Sequence, residues 1–366
     1  MRFSINQSEL QSVLSVVSKG MSTRSTLPIL AGIYLEAAGA QLTLQSTDLE
    51  LSVRCSVAAL VEEEGRAVLP GKLFESIVKS LPDAAVVVEE RDGQATIRCD
   101  ASSFSVKTLD ADDFPGFPHV DVQQEIRVPF PEFSSMVKKV SRFVSRDESR
   151  AVLTGVLISL AGDVLTLVST DSYRLAVVNA TIPDAGADEF TAVVKGSFLQ
   201  ELAALPRSED PVTLALADNQ IVIGYQDVTF VNRRIEGNYP NYRALLAATP
   251  TTRVTVDRSR LAAAVKRVAV VGQSSAPVRF DVNEASQTIM LTAATQDVGE
   301  ACETVPCSCE GLDVQIAFNN AYTSEGLAAS ETDEVVLELQ GSMKPGVVRS
   351  TEGEDYLYLI MPVRLS

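Results

Sequence analysis

RAVLTGVLISLAGDVLTLVSTDSYR, residues 150–174, is the stretch from which the rest of the chain can be interpreted. Apolar side chains alternate over residues 156–160 and again over 165–167, on either side of Ala161-Gly162-Asp163. Alternation with a period of two around a glycine-containing turn predicts a β-hairpin. The same pattern occurs at residues 25–50 and, more weakly, at 276–297.

The three hairpins close on Asp48, Asp171 and Asp297, which lie 123 and 126 residues apart. A self-similar period of that length indicates repeated structural units. Each copy is long enough to close its own core. We therefore expect three tandem domains, with boundaries near 120 and 250: residues 1–120, 121–250 and 251–366.

Each repeat divides into two similar halves, and each half holds a strand, a helix and several antiparallel strands. Helical spacing of apolar residues predicts first-half helices over residues 8–19, 131–144 and 258–268, and second-half helices over 72–80, 195–204 and 319–329. Ser8 and Asp257 stand where a helix N-cap is expected, and Pro131 suits a first helical turn. The predicted fold class is α+β.

Composition places the chain among folded soluble proteins, with 46% hydrophobic and 22% charged residues. The N-terminus lacks an apolar segment of signal-peptide length, and no run approaches the roughly 18 apolar residues that a membrane span needs. Five cysteines are an odd and sparse set, typical of reduced thiols rather than a disulfide framework. We expect a cytoplasmic protein with no membrane partner.

Charge is distributed unevenly over the predicted elements. The formal net charge is −17, yet the six predicted helices, counted with the N-cap residue Asp257, carry eleven basic and six acidic residues, a net charge of +5 that leaves −22 for the rest. Such a distribution is consistent with one surface that faces a polyanion. Lysine and arginine that merely solvate exposed helix faces would explain it equally well.

The residue types that mark common enzymes are missing or isolated. The single histidine, His119, lies in a proline-rich junction, and no HExxH, CxxC, Walker or GxSxG sequence occurs. Cys302, Cys307 and Cys309 could bring three thiolates together, but buried or loop thiols explain them better than a metal site. We expect no catalytic residue, no cofactor and no metal. An enzyme or small-ligand binder that uses the repeated Ser-Thr-Asp turns is the alternative; side-chain capping of those turns is the simpler explanation.

Four short motifs together carry a family resemblance. They are Arg24-x-x-Leu27-Pro28-Ile29-Leu30, Thr170-Asp171-x-Tyr173-Arg174-Leu175, Tyr239-Pro240-x-Tyr242-Arg243 and Met361-Pro362-Val363-Arg364-Leu365. In this order, and over the whole chain, the sequence resembles the bacterial sliding clamp, the beta subunit of DNA polymerase III. The resemblance implies a non-catalytic processivity factor: a head-to-tail homodimer of six similar domains, with helices lining a central hole around duplex DNA and antiparallel sheets outside.

The resemblance also implies partners and site residues. The partners are double-stranded DNA, a replicative DNA polymerase, a clamp-loader ATPase and other proteins that carry a clamp-binding motif. The implied DNA contacts are Arg24, Lys72, Arg146, Arg150 and Lys195, to which the charge of the second repeat's first helix adds Lys139 and Arg142. The implied partner-peptide pocket consists of Leu153, Thr170, Ser172, Tyr173, Arg174, Leu175, Pro240, Leu245, Leu359, Met361, Pro362, Val363 and Arg364. The implied dimer interface holds Phe104, Val106, Val270, Val271, Glu300 and Glu303.

The chain departs from the family pattern within the implied pocket. Ser172-Tyr173 stands where the family often has Gly-His, Val363 stands where it often has Met, and Ser366 extends past the usual terminal Leu. These changes bear on which peptide is preferred. A monomeric scaffold with the same domains but no closed ring is a further alternative.

Overall fold

The structure is a computed structural model that describes residues 1–22, 26–122, 124–183, 189–217, 219–272, 276–351 and 355–364. Arg24 and Leu365, both part of the motifs above, lie outside the described residues. The chain divides into two compact units, which are described separately. The first contains residues 1–131 and 205–234, and the second contains 132–204 and 235–366.

Seven α-helices lie within the described ranges. They are α1 Gln7–Val17, α2 Gly71–Ser80, α3 Phe130–Val140, α4 Gly196–Ala203, α5 Tyr242–Leu246, α6 Arg258–Val268 and α7 Asn320–Ala329. The five-residue α5 was not predicted; the other six were. No helix in the described part of the chain is long and apolar enough to span a membrane.

The helix starts follow from their capping residues. Asp257 accepts a hydrogen bond from the backbone N–H of Arg260 at 2.6 Å, which confirms the predicted N-cap of α6. The N-cap of α1 is Asn6 rather than Ser8, because the Asn6 side chain accepts from the Ser8 N–H at 3.1 Å. Pro131 lies in the first turn of α3, as predicted.

Twenty-six strands account for most of the remaining described residues. They are β1 Arg2–Asn6, β2 Gly32–Ala38, β3 Gln41–Thr47, β4 Leu51–Ala58, β5 Leu60–Glu63, β6 Gly65–Pro70, β7 Ala85–Arg91, β8 Gln94–Cys99, β9 Ser102–Lys107, β10 Gln124–Pro129, β11 Gly155–Ala161, β12 Val164–Thr170, β13 Arg174–Thr181, β14 Phe190–Lys195, β15 Pro211–Leu216, β16 Gln220–Tyr225, β17 Val228–Arg233, β18 Thr252–Asp257, β19 Pro277–Asn283, β20 Thr288–Thr295, β21 Gly299–Pro306, β22 Ser308–Gly311, β23 Val314–Asn319, β24 Glu334–Leu339, β25 Gly346–Ser350 and β26 Tyr356–Ile360. All recorded strand pairs are antiparallel. The three predicted hairpins are β2–β3, β11–β12 and β19–β20.

The first unit contains two sheets. One has five strands in the order β5-β1-β7-β8-β9, and the other has eight in the order β10-β15-β16-β17-β4-β3-β2-β6. The eight-stranded sheet joins strands of the first and second repeats where β17 pairs with β4, with Asn232 opposite Leu51 and Val228 opposite Cys55. The sequence repeat therefore produces a sheet that runs from one repeat into the next.

The second unit repeats this arrangement. A nine-stranded sheet has the order β14-β11-β12-β13-β26-β25-β24-β18-β22, and a four-stranded sheet has the order β21-β20-β19-β23. Here β26 of the third repeat pairs with β13 of the second, with Ile360 opposite Arg174 and Tyr356 opposite Val178. Strands β9 and β21 are two of the eight sheet ends among the described strands, the others being β5, β6, β10, β14, β22 and β23.

Equivalent hydrogen bonds recur in the first two repeats. The hydroxyl of Ser46 donates to the backbone carbonyl of Val17, and the hydroxyl of Ser169 donates to that of Val140 at 2.6 Å. Ser169 follows Ser46 by 123 positions, and Val140 follows Val17 by the same number. The period found in the sequence thus extends to how the first helix of each repeat is fastened to its sheet.

Candidate functional site: an apolar pocket and a set of basic residues

A buried apolar cluster lies on one face of the nine-stranded sheet. It consists of Leu157, Val168, Leu175, Val177, Val193, Tyr242, Val347, Leu357 and Leu359, with Val152, Ile235, Tyr239 and Leu246 packed against it. The Tyr239 hydroxyl donates to the Val168 carbonyl at 3.2 Å, which holds the segment before α5 on this face. Burial raises the pKa of Tyr239, so its phenol stays protonated and remains a donor.

Large apolar side chains next to this cluster remain in contact with solvent. Tyr173 is 59% exposed, Leu245 51%, Met361 40% and Val363 37%. The backbone fixes their relative positions at one point, because the Met361 N–H donates to the Tyr173 carbonyl at 2.9 Å. Exposed apolar surface of this kind is typical of a site where another molecule binds.

The C-terminal segment extends this surface beyond β26. Val363 donates its N–H to the carbonyl of Ala317 at 2.8 Å, so residues 361–363 are fastened at both ends. Pro362 is half-buried and Arg364 is exposed. The segment therefore forms an ordered apolar ridge beside the cluster, with methionine as an adaptable contact.

The turn that joins β12 to β13 forms another wall. Asp171 Oδ1 accepts hydrogen bonds from the backbone N–H groups of Tyr173 at 2.9 Å and Arg174 at 3.0 Å. Ser172 has φ of 78°, in the left-handed region, and its N–H donates to the Thr170 hydroxyl at 3.1 Å. Asp171 is thus a capping residue, as the simpler interpretation of the Ser-Thr-Asp turns predicted, and Asp48 caps the first repeat's turn through the N–H groups of residues 50 and 51.

The guanidinium of Arg174 fastens this turn from within. Its Nε donates to Asp171 Oδ2 at 2.9 Å, and its Nη1 donates to Glu325 of α7. The charge also lies 4.2 Å from the ring centroid of Tyr322 and 5.0 Å from that of Phe143. Only 10% of the Arg174 side chain is exposed, so these contacts together replace its hydration shell.

The sequence-predicted pocket residues that the structure describes all belong to the second unit. Leu153, Thr170, Leu175 and Leu359 are buried. Pro240 is exposed just before α5, and Leu245 is exposed within α5. Sequence reasoning missed the supports of Arg174, namely Phe143, Tyr322 and Glu325. Tyr322 and Glu325 lie about 150 positions from Arg174 in the chain, and no local sequence pattern links them to it.

The proposed DNA contacts lie in different environments. Lys72, Arg142 and Arg146 are exposed, and Lys195 is half-buried. Lys139 differs from expectation: its side chain is only 11% exposed, and its Nζ lies 3.2 Å from a carboxylate oxygen of Glu331. Of the two adjacent lysines in α3, it is Lys138 that faces solvent, because helical geometry turns neighbouring residues to different faces.

Arg150 has its own contacts. Its Nε donates to Asp147 Oδ2 at 3.1 Å, and its Nη1 donates to the Ser172 hydroxyl at 2.9 Å. A residue expected to contact DNA therefore also touches the wall of the pocket.

The residues expected at a dimer interface lie on or beside two edge strands, β9 and β21. Phe104 is half-buried and Val106 buried on β9, while Glu300 is exposed and Glu303 half-buried on β21. Val270, just after α6, is 79% exposed. Glu303 binds Arg267 of α6 at 2.9 Å, and this hydrogen bond lowers the pKa of the carboxyl group.

The cysteines are placed as separate thiols. Burial raises the pKa of Cys55 and of Cys307 to about 11, which keeps both protonated near neutral pH. Among the described residues, no three His, Cys, Asp or Glu side chains come together in a group that could hold a metal ion.

Three family descriptions match successive parts of the sequence. They are the N-terminal domain of the DNA polymerase III beta subunit over residues 1–118, its central domain over 127–241 and its C-terminal domain over 243–364. Together they cover nearly the whole chain.

Individual proteins agree with these matches. The beta sliding clamps of Synechococcus elongatus and Streptomyces coelicolor are each 34% identical to this chain, over 100% of both sequences. The crystal structure of the DNA polymerase sliding clamp from Bacillus subtilis superposes with a TM-score of 0.96 at 26% identity, covering 100% of both chains.

Proposed function

Because this chain belongs to the DNA polymerase III beta subunit family, the beta sliding clamps, we propose that two copies close head to tail into a ring around duplex DNA. Members of this family are non-catalytic processivity factors of DNA polymerase III. The ring would retain DNA by topology, so binding needs neither base recognition nor high affinity. It would act in the cytoplasm and be opened by a clamp-loader ATPase.

The observation that supports ring closure is the pattern of strand pairs. Strand β17 pairs with β4 and β26 pairs with β13, so twice within the chain the last strand of a repeat joins the preceding repeat. The corresponding strands β9 and β21 are edges. Pairing β9 of one copy with β21 of the other would complete a nine-stranded sheet and cover an edge that is otherwise prone to aggregation.

The solution mass tests this proposal. Light scattering behind a sizing column should give about twice 39.3 kDa, persisting on dilution. Val270→Asp should shift the mass toward that of the monomer, because it places a charge beside the proposed contact. Leu312→Asp is the matched control: Leu312 is also exposed, at 65%, but follows β22. A monomer at all concentrations would reject the ring and favour the scaffold alternative.

The proposed DNA lining consists of the basic residues named above. Exposed Lys72, Arg142 and Arg146 have the properties expected of phosphate contacts, and Lys195 is partly accessible. We retain Arg24, whose side chain lies outside the described residues, while Lys139 would first have to leave Glu331. Charge-reversing Arg142 and Arg146 together should weaken binding to a short linear duplex, on which topology retains nothing, and the loss should shrink as salt rises.

The apolar pocket of the second unit would tether the polymerase and other clamp-binding proteins. The ligand that suits it is a short hydrophobic peptide of the Gln-x-x-Leu-Phe type, which would fill the groove between Tyr173, Leu245 and Met361. Fluorescence anisotropy with a labelled peptide tests this assignment. Saturable binding that an unlabelled copy displaces would support it, and the absence of binding to the intact chain would reject it.

A further inference from the structure

Two arginines that differ in burial anchor the turn at the wall of the peptide pocket. Arg174 is almost fully buried and holds the turn through Asp171 and Glu325. Arg150 is partly exposed and holds the same turn through the side chain of Ser172, at 2.9 Å. Its other recorded bond is to Asp147, at the start of the segment that carries Leu153.

Ser172 occupies an unusual backbone position. Its φ of 78° is in the region that glycine adopts most easily. A serine there carries a conformational cost, and its hydroxyl is the group that Arg150 contacts. The side chain therefore supplies a link that a glycine at this position could not make.

We propose that Arg150 is a positioning residue of the peptide pocket, acting through Ser172. The Ser172–Arg150–Asp147 link holds residues 171–174 against the segment 147–154. The exposed ring of Tyr173, and the Tyr173 carbonyl that receives the Met361 N–H, are carried by that turn. This inference rests on the proposed peptide-binding function and adds a residue so far assigned only to DNA contact.

The contact works by restricting the turn rather than by touching the peptide. A loosened turn would sample more positions, and peptide binding would then have to order it. Loss of one charge-assisted hydrogen bond at a partly exposed site corresponds to an affinity change of about three- to tenfold. Removing either the Arg150 side chain or the Ser172 hydroxyl should therefore weaken peptide binding to the same extent.

The experiment measures peptide affinity for the full chain by anisotropy, using Ser172→Ala, Arg150→Ala and the double variant. Ser172→Ala keeps the Cβ and its backbone cost, and removes only the hydroxyl. Each single change should weaken binding by about three- to tenfold, and the double change should be no worse than either single. Arg207→Ala is the control, because Arg207 is an exposed arginine that belongs to none of the proposed sites.

Hydrogen exchange provides a readout that does not depend on a peptide. Amide exchange over residues 171–174 should quicken in Ser172→Ala and Arg150→Ala and stay unchanged in Arg207→Ala. Additive losses of affinity, or unchanged exchange and affinity in Arg150→Ala, would overturn the inference and leave the pocket intact. An intact chain that binds no peptide would reject the proposed function itself, and the inference with it.

Discussion

The junction between β13 and β26 in the second unit has a counterpart in the first unit, between β4 and β17. The Met361 N–H donates to the Tyr173 carbonyl at 2.9 Å, and the Arg233 N–H donates to the Glu50 carbonyl at the same distance. Both turns pass through a left-handed residue, with φ of 78° at Ser172 and 76° at Leu49. The two junctions share a backbone design.

Their side chains are nevertheless different. Ser52 and Arg54 of the first unit stand where Leu175 and Val177 stand in the second, 123 residues later. The Arg54 guanidinium lies 4.0 Å from the ring centroid of Phe117, so an exposed charge covers this junction. Arg233 replaces the apolar Met361 on the outgoing strand.

One fold element, used twice, is therefore a structural joint in one place and a candidate binding site in the other. Strand pairing needs only backbone groups and buried residues between the layers. A peptide pocket also needs apolar side chains on the outer face and an accessible rim. Function here depends on side chains rather than topology.

The largest expected effect comes from removing the feature that most distinguishes the second junction. Deleting residues 361–366 should abolish detectable peptide binding, because it removes the Met361–Val363 ridge. Anisotropy titration measures this effect, and Arg233→Ala at the matching position of the first junction is the control. Affinity that survives the deletion unchanged would reject the pocket assignment.

The next change gives the second junction the residue that the first junction has, because Leu175 is replaced by serine, as at Ser52. Leu175→Ser should lower the free energy of unfolding by about 2–4 kcal/mol, since Leu175 is 2% exposed and its loss leaves a cavity. Peptide affinity should fall about tenfold or more. Chemical denaturation and anisotropy measure the two effects. In the first junction the serine hydroxyl of Ser52 lies 2.9 Å from that of Thr47, so serine is satisfied there.

An intermediate effect is expected at Arg174, whose counterpart is Leu51. Arg174→Leu should cost about 1–3 kcal/mol of stability, because it leaves the partners of a buried charge unpaired. Peptide affinity should fall as the turn loosens. Glu325→Gln is the control that keeps an acceptor in place while removing its charge. If Arg174→Leu were as stable as the parent chain, the recorded contacts of this arginine would not support the turn.

Much of the fold could be predicted from sequence, because the repeat of about 125 residues and the helical spacing are local signals. The bounds of α6 and its cap at Asp257 agree with the structure, whereas α5 is too short to show a period. The joining of β4 to β17 depends on residues nearly 180 positions apart in the chain, a pairing that no local pattern encodes.

The candidate site was less predictable than the fold. Residue types alone do not show which of two adjacent lysines faces solvent, and Lys139 is held by Glu331 rather than exposed. The family resemblance implied the pocket residues, whereas the residue types themselves indicated only the apolar C-terminal segment. The Arg150–Ser172 contact depends on a side chain at a left-handed position, which appears only when the backbone is known.

The smallest effect is expected from two glycine substitutions. Together they separate the steric cost of a positive φ from the stabilisation that the Ser172 side chain provides. Leu49→Gly should raise the free energy of unfolding by about 0.5–1 kcal/mol, because glycine adopts a positive φ without steric conflict. Ser172→Gly removes the same cost but also the hydroxyl that Arg150 contacts, so its gain should be smaller. Denaturant midpoints of the two variants, compared with each other, measure this difference. An equal gain at both turns would mean that the Ser172–Arg150 bond contributes nothing to the stability of the second junction.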